Sequence, residues 1–355
     1  MSGDRPVRTI ELSVHGATVS VESADEELGR RVADDFSVFA AGETARGGEH
    51  LSIRASLRRP DYDSLPPLTA TVYTPRNICY SEGDLTYIDY FGRALALYDR
   101  RRRSLDVTCD DLDLLHEIVY LTILSRVSET LERDGLHRIH AFGLEAAGEA
   151  ALFLMPSGGG KTTLTLGFLK LGPPFRLISE DSPFVDRTGR VHPFPLRIGF
   201  LGSEPPPFPP EHVTRIRRME FAPKYLVALA AFGDCLAGDA SVARFLFVGK
   251  RSLGRGCAIR SAGKWTGWKA LLEGMVVGVG LYQGVEFLLR TSILDLFGMA
   301  GLAISRVRAA WALLRRCEVH VVILGRDGQA NVETIRAFLA ARGFGAPRPG
   351  PAGPG

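Results

Sequence analysis

The chain has little cysteine, little charge bias and no long uninterrupted apolar run, and each scarcity excludes a class of protein. Five cysteines, Cys79, Cys109, Cys235, Cys257 and Cys317, are scattered over 355 residues, and no two form a Cys-x-x-Cys pair. This excludes a disulfide-stapled scaffold and argues against a zinc or dithiol redox motif. Scattered thiols fit a reducing cytosol, so a cytoplasmic location is expected. Basic residues number 43 and acidic residues 40, for a net charge of +3. That balance does not signal nucleic-acid binding. The opening MSGDRPVRTIELSV lacks the apolar core of a secretory signal. Met275 to Tyr282 reads MVVGVGLY, with Gly274, Gly278, Gly280 and Gly284 at small-residue spacing. Glu273, Gln283, Glu286 and Arg290 interrupt it well short of the ~20 apolar residues a span requires. A buried, closely packed helix is expected there, with no membrane span.

What is present is ordinary for a folded chain: 45% apolar and 23% charged residues. At ~150 residues per domain, the length suggests about two domains. Residues 1–134 read as a β-rich α+β domain. Arg8 to Val21 reads as two strands around a His15-Gly16 turn, and Asp25 to Ala40 has helical spacing. Leu51 to Leu57 reads as a strand, and Thr69 to Thr108 as a meander. Arg100 to Arg103 fall in its last turn and are expected at a solvated hairpin tip. Asp110 to Arg133 reads as a long helix, capped by Asp110 or Asp111. A break at Asp134-Gly135 places the domain boundary. Residues 135–342 form the second domain, and the Gly/Pro-rich 343–355 is expected to be a disordered tail.

The strongest local signal is Met155-Pro156-Ser157-Gly158-Gly159-Gly160-Lys161-Thr162, followed by Thr163. It matches the phosphate-binding pattern G-x-x-x-x-G-K-[ST] except at the first position, where Met155 replaces glycine. Consecutive glycines let the backbone curl its N–H groups toward phosphate oxygens, and the helix that follows adds its positive end. In that pattern Lys161 neutralises the β- and γ-phosphates and Thr162 offers its hydroxyl to Mg²⁺. The loop lies between an apolar strand, Ala150 to Met155, and a helix, Thr162 to Leu171, with a second strand, Phe175 to Ser179, closing a βαβ unit. That strand ends in Glu180-Asp181, only 20 positions beyond Lys161. One carboxylate suits a Mg²⁺ shell and the other a hydroxyl proton. No Asn-Lys-x-Asp or Leu-Ser-Gly-Gly-Gln motif is present, which argues against a GTPase and a transporter ATPase.

This compact order (His140, strand, Gly-rich loop with Gly160-Lys161-Thr162, one helix, Glu180-Asp181) resembles the catalytic domain of the HPr kinase/phosphorylase family, including its peptide-tailoring serine-kinase relatives. Pro193 to Gly199 (PFPLRIG) resembles the segment that follows in the peptide-tailoring branch. The resemblance implies an α/β P-loop kinase domain of the HPr kinase/PEP carboxykinase type behind the N-terminal domain. It implies ATP and Mg²⁺, transfer of the γ-phosphoryl group to a hydroxyl, usually serine, of a protein or peptide, and a homo-oligomer, as in many of these enzymes. Pro156 to Thr163 would bind the nucleotide, and Thr162, Glu180 and Asp181 the metal. Asp181 is taken as the base, with Glu180 near the metal. The family commonly has Asp-Asp where this chain has Glu180-Asp181. His140 either assists catalysis or is a strand-end histidine satisfied by backbone. Arg197 either meets the transferring phosphate or is a surface arginine. His192, Lys224, Lys250 and Arg251 are further cations with no spacing argument. The acceptor is expected at the N-terminal domain or the 203–222 loop. No Glu-Ile-Arg-Gly-like signature of the phosphorylase activity is present, so dephosphorylation is not expected. Two alternatives stay open: a small-metabolite kinase, and a nucleotide-binding scaffold that transfers nothing.

Overall fold

In the computed structural model of the chain, each half builds a mixed sheet: the first half pairs mostly antiparallel neighbours around a parallel centre, and the second sets parallel strands joined by crossovers among antiparallel ones. Residues 7–41, 49–156, 158–202, 204–217, 223–277 and 293–346 are described. The chain is mixed α/β and divides into two compact units. Among the described residues the first runs to Leu131 and includes Gly199–Ala228 and residues 293–296; the second takes in Glu132–Ile198, residues 229–277 and Phe297 onward.

In the first unit, β1 (Arg8–Val14) and β2 (Ala17–Ser23) form a hairpin in which His15 and Gly16 both take positive φ. Such a two-residue turn matches the twist of the strands it joins. Helix α1 (Glu26–Asp35) starts where the Asp25 carboxylate accepts the Leu28 N–H at 2.8 Å. It carries the chain to β3 (His50–Leu57), parallel to β2. Strands β4 (Ala70–Tyr73), β5 (Ile78–Glu82), β6 (Leu85–Asp89), β7 (Ala94–Asp99) and β8 (Ser104–Cys109) are the expected meander. The eight strands pair in the order β1-β2-β3-β8-β7-β6-β5-β4. At the β7–β8 tip Arg101 and Arg102 are exposed, whereas Arg103 folds back to pair with Glu49 at 2.6 Å. Helix α2 (Leu112–Arg133) is capped by Asp111, whose Oδ1 accepts from the N–H groups of Asp113 and Leu114.

The second unit opens with β9 (His137–Arg138), β10 (Phe142–Ala146) and β11 (Glu149–Leu154). Helix α3 (Lys161–Leu171) leads to β12 (Arg176–Ser179), then β13 (Phe184–Val185) and β14 (Arg190–His192). The chain then returns to the first unit over Gly199–Ala228 for a separate three-stranded sheet of β15 (Ile198–Phe200), β16 (Val213–Ile216) and β17 (Lys224–Val227), before the second unit resumes. Strand β18 (Ser241–Arg251), β19 (Ala258–Ser261), α4 (Lys264–Leu271), α5 (Ile293–Arg316), β20 (Glu318–Leu324) and α6 (Gly328–Ala341) complete it. The main sheet runs β12-β10-β11-β18, with β20 and then β19 beyond β18. Strands β11, β18 and β20 are mutually parallel. Strand β12 also runs with β11, because both are antiparallel to the intervening β10. The expected βαβ unit is therefore split: its strands are parallel but β10 lies between them.

Both faces of this sheet are covered, which is why β10 and β11 are buried at every position. One face stacks Phe142, Phe153 and Phe247, with Phe168 of α3 and Phe338 of α6 against them. The other packs Ala150, Leu152, Leu154 and Leu246 with Leu271 of α4 and with Ala309, Ala310, Leu313 and Leu314 of α5. Among the described residues no helix is long and apolar enough to cross a membrane. After α4 the chain continues as a π turn over Leu272–Val277; Gly278, Gly280 and Gly284, and residues 347–355 of the expected tail, lie outside the described residues. All five cysteines carry free thiols.

Candidate functional site

Strands β11, β12, β18 and β20 end on the same edge of the sheet, and in α/β sheets the carboxyl ends of parallel strands are where ligands bind. The glycine-rich loop follows β11. Gly158 (φ +72°) and Gly160 (φ +101°) occupy the left-handed region, and Gly160 is the residue from which α3 departs. Gly159 needs glycine for another reason. Its N–H donates to the Pro156 carbonyl at 2.9 Å, and a Cβ there would lie 2.7 Å from that oxygen. Among the described residues no side chain caps the start of α3 at Gly160, so the cap leaves backbone N–H groups there open to a ligand. Ser157 lies outside the described residues.

Met155, the departure from the loop pattern, is a core residue. It is 3% exposed and its side chain fills the space over Gly249 of β18, where a Cβ would come within 2.1 Å of Met155 Cγ. Small and large residues have exchanged places across adjacent strands.

At the end of β12 the Ser179 hydroxyl accepts the N–H groups of Asp181 (3.4 Å) and Ser182 (3.1 Å), turning the chain toward the loop. The Asp181 carbonyl accepts the Ala141 N–H at 3.0 Å. Lys161 Nζ, buried at 8% exposure, reaches Asp181 Oδ1 at 3.1 Å. It also donates to His140 Nε2 at 2.6 Å and to the Met155 carbonyl at 3.2 Å. Three partners match the three N–H groups of an ammonium. Because an ammonium only donates, His140 Nε2 must accept, which puts the imidazole proton on Nδ1. Nδ1 faces Asp181 Oδ1 at 3.4 Å. His140 thus sits in a bend just before β10, not in the strand as its sequence suggests. Its own N–H donates to the Gly274 carbonyl of the π turn at 2.9 Å. Thr162 Oγ1 donates to Glu180 Oε1 at 2.5 Å.

Burial by itself would raise the Asp181 pKa, but the His140 imidazole and Lys161 ammonium beside it outweigh that and hold it well below the usual carboxylate range. The Asp181 side chain remains 44% exposed. A buried cation is therefore joined to a carboxylate that a solvent-borne group can reach.

The structure brings His140, Lys161, Thr162, Glu180 and Asp181 together around Pro156 and Gly158–Gly160. Thr163, next to Thr162, packs toward the opposite side, where a Cβ at Gly328 would lie 2.8 Å from its Cγ2. Arg197 is buried, at 7% exposure, rather than a surface arginine. His192 pairs with Asp186 at 2.9 Å within the β13–β14 hairpin, and Lys224 lies over Gly199 in the first unit. Of the four cations without a spacing argument, Lys250 and Arg251 do border the loop. They line a cavity of about 260 Å³ with Met155, Pro156, Gly158, Gly159 and Gly249. Arg251 Nη1 donates to the Gly158 carbonyl at 3.3 Å. The signal was a basic pair closing an apolar strand, but only the pairing of β18 with β11 shows which loop that strand serves. No family model matches the chain, and no curated protein matches it.

Proposed function

We propose that the chain is an ATP-dependent phosphotransferase of the HPr-kinase-like type, with a P-loop kinase fold in its second unit. It moves the γ-phosphoryl group of ATP to a serine hydroxyl of a protein or peptide acceptor with Mg²⁺. The observation that carries this is the contact of Lys161 with Asp181 at 3.1 Å beside a loop whose glycines adopt left-handed backbone. Phosphoryl transfer asks mainly for positioning and charge neutralisation, and these residues supply both.

Lys161 turns from its acceptors, the His140 ring and the Met155 carbonyl, to phosphate oxygens, which are stronger partners for an ammonium. Asp181 then stays beside His140 Nδ1, 3.4 Å away, and accepts a hydrogen bond from the incoming hydroxyl. With its pKa held low, it orients that hydroxyl more than it strips the proton before transfer. Thr162 and Glu180 fit Mg²⁺ by donor chemistry: a hydroxyl and a carboxylate already in contact, with the Asp181 carboxylate beside Lys161. Among the described residues no group of three or more His, Cys, Asp and Glu is arranged to hold a metal by itself. That suits Mg²⁺, which binds through one or two carboxylates and completes its shell with water and substrate phosphates. Bound there, Mg²⁺ neutralises charge on the phosphate oxygens.

The test is incubation of the purified chain with γ-labelled ATP, Mg²⁺ and a cell lysate. Label is expected as an acid-stable ester on protein or peptide serine. Label confined to small molecules would overturn the acceptor class, and absence of ATP binding would overturn the function itself.

A further inference from the structure

The loop has two chemically opposite flanks. Toward β12 lie Glu180 and Asp181, with Thr162 on the Glu180 carboxylate. Toward β18 and β20 lie cations. Lys250 and Arg251 close β18, Arg255 follows it, and Arg326 follows β20; all four are exposed. The two strand ends are tied together, since Ser252 N–H donates to the Leu324 carbonyl and Arg326 N–H to the Gly254 carbonyl, both at 2.8 Å. Among the described residues none of the four cations has an acidic partner within salt-bridge distance. Asp327 is engaged in capping α6, accepting the N–H groups of Gln329 and Ala330. Of the five N–H donors on Arg251, one is used on Gly158, and the fork stays exposed beside the cavity of about 260 Å³.

A triphosphate lying across such a loop has two ways to run. The carboxylate flank repels phosphate unless a metal intervenes, and it is where the acceptor hydroxyl must meet the γ-phosphorus. The opposite flank carries uncompensated positive charge, exposed guanidinium donors and a recess bounded by glycine backbone. Thr162 and Thr163, consecutive at the head of α3, divide the same way: Thr162 to Glu180, Thr163 toward Gly328 past β20.

We infer that Lys250 and Arg251 form the subsite for the nucleoside-side phosphates and the adjoining ribose, so the nucleotide runs from β18 at its nucleoside end to β12 at its γ end. This rests on the phosphotransfer function proposed above. Arg251, anchored on the Gly158 carbonyl, ties the shape of the loop to the phosphate it receives, and Lys250 adds a second charge.

Equilibrium binding of ATP and of ADP to the full chain, by calorimetry, tests this with Lys250→Gln, Arg251→Gln and, as a control, the α5 surface variant Arg315→Gln. Lys250, Arg251 and Arg315 are all exposed, so the variants are expected to fold. Arg251→Gln should weaken ATP and ADP alike, by about tenfold or more for the loss of a charge-assisted contact. Lys250→Gln should weaken both to a smaller degree, and Arg315→Gln neither. Loss confined to ATP would put these cations on the γ-phosphate and overturn the orientation. Unchanged affinity for both nucleotides would overturn the subsite. A native chain that binds neither nucleotide would instead remove the phosphotransfer function, and the subsite with it.

Discussion

Each unit of this protein joins a nitrogen-bearing side chain to a carboxylate, and the two pairs are built for different ends. In the first unit His116 Nε2 meets Asp35 Oδ2 at 2.6 Å, with side chains 4% and 2% exposed. The pair joins α2 to the end of α1 and is sealed on every side. In the second unit Lys161 is buried too, at 8% exposure, but Asp181 is 44% exposed, and the contact is 3.1 Å. A sealed pair can only hold structure. A pair with one open member can exchange partners with whatever arrives from solvent.

The difference can be broken by substitution. The largest effect belongs to the open pair. Lys161→Ala and Asp181→Asn should each reduce the proposed phosphoryl transfer by at least about 10³-fold. Circular dichroism should show the fold retained, because without Lys161 the Asp181 carboxylate still reaches solvent, and in Asp181→Asn the buried ammonium keeps the His140 and Met155 acceptors and gains an amide oxygen in place of the carboxylate. Loss of the native spectrum in both would make this pair structural, like the other. At the sealed pair the result should invert. His116→Ala removes the contact on Asp35 Oδ2 and empties part of the core, and should cost about 1–3 kcal/mol in denaturant unfolding, with nucleotide affinity of the folded protein unchanged.

A third test concerns His137, fully buried in the second unit with Nε2 on the Ser305 hydroxyl at 2.8 Å. Burial first, then the nearby Arg306 and Arg187 charges, push its pKa from 6.5 down to about 4. The unfolded chain therefore takes up this proton before the folded one does. Stability is full above about pH 6.5 and falls as pH drops toward about 4, by at most about 3 kcal/mol. His137→Gln should flatten that stretch of the stability–pH curve; an unchanged slope would assign it to other groups. The smallest effect is expected where the loop meets the core. Gly249→Ala drives a methyl into Met155 and should cost about 1–3 kcal/mol, and the double variant with Met155→Ala should cost less than the sum of the two single changes. Non-additivity in that double mutant measures the exchange of small and large residues that lets a methionine open the loop.

Much of the secondary structure was legible because its signals are local. Alternation marked β1 to β8, Asp25 and Asp111 marked helix starts, and Gly172 (φ +68°) marked the end of α3. The loop was legible because its glycines answer to local backbone geometry. Other features were not. The place of β10 between β11 and β12 is a matter of strand pairing, which no window of residues encodes. The short strands β13, β14 and β19 lack enough residues to show a period. His140 read as the start of a strand because its apolar neighbours continue the pattern, yet it turns out of the sheet to meet Lys161.

By itself the sequence determined where charge and glycine must concentrate: a curled loop at a helix start, a lysine within it, and an acidic pair one helix and one strand later. These follow from backbone sterics and chain connectivity, which act over a few residues. Only the tertiary structure decided which groups share the loop. It set β12 on one side with Glu180 and Asp181, β18 on the other with Lys250 and Arg251, and His140 between Lys161 and Asp181. Those distances depend on strand order, and strand order is chosen by burying both faces of a sheet at once, a condition the whole unit satisfies together.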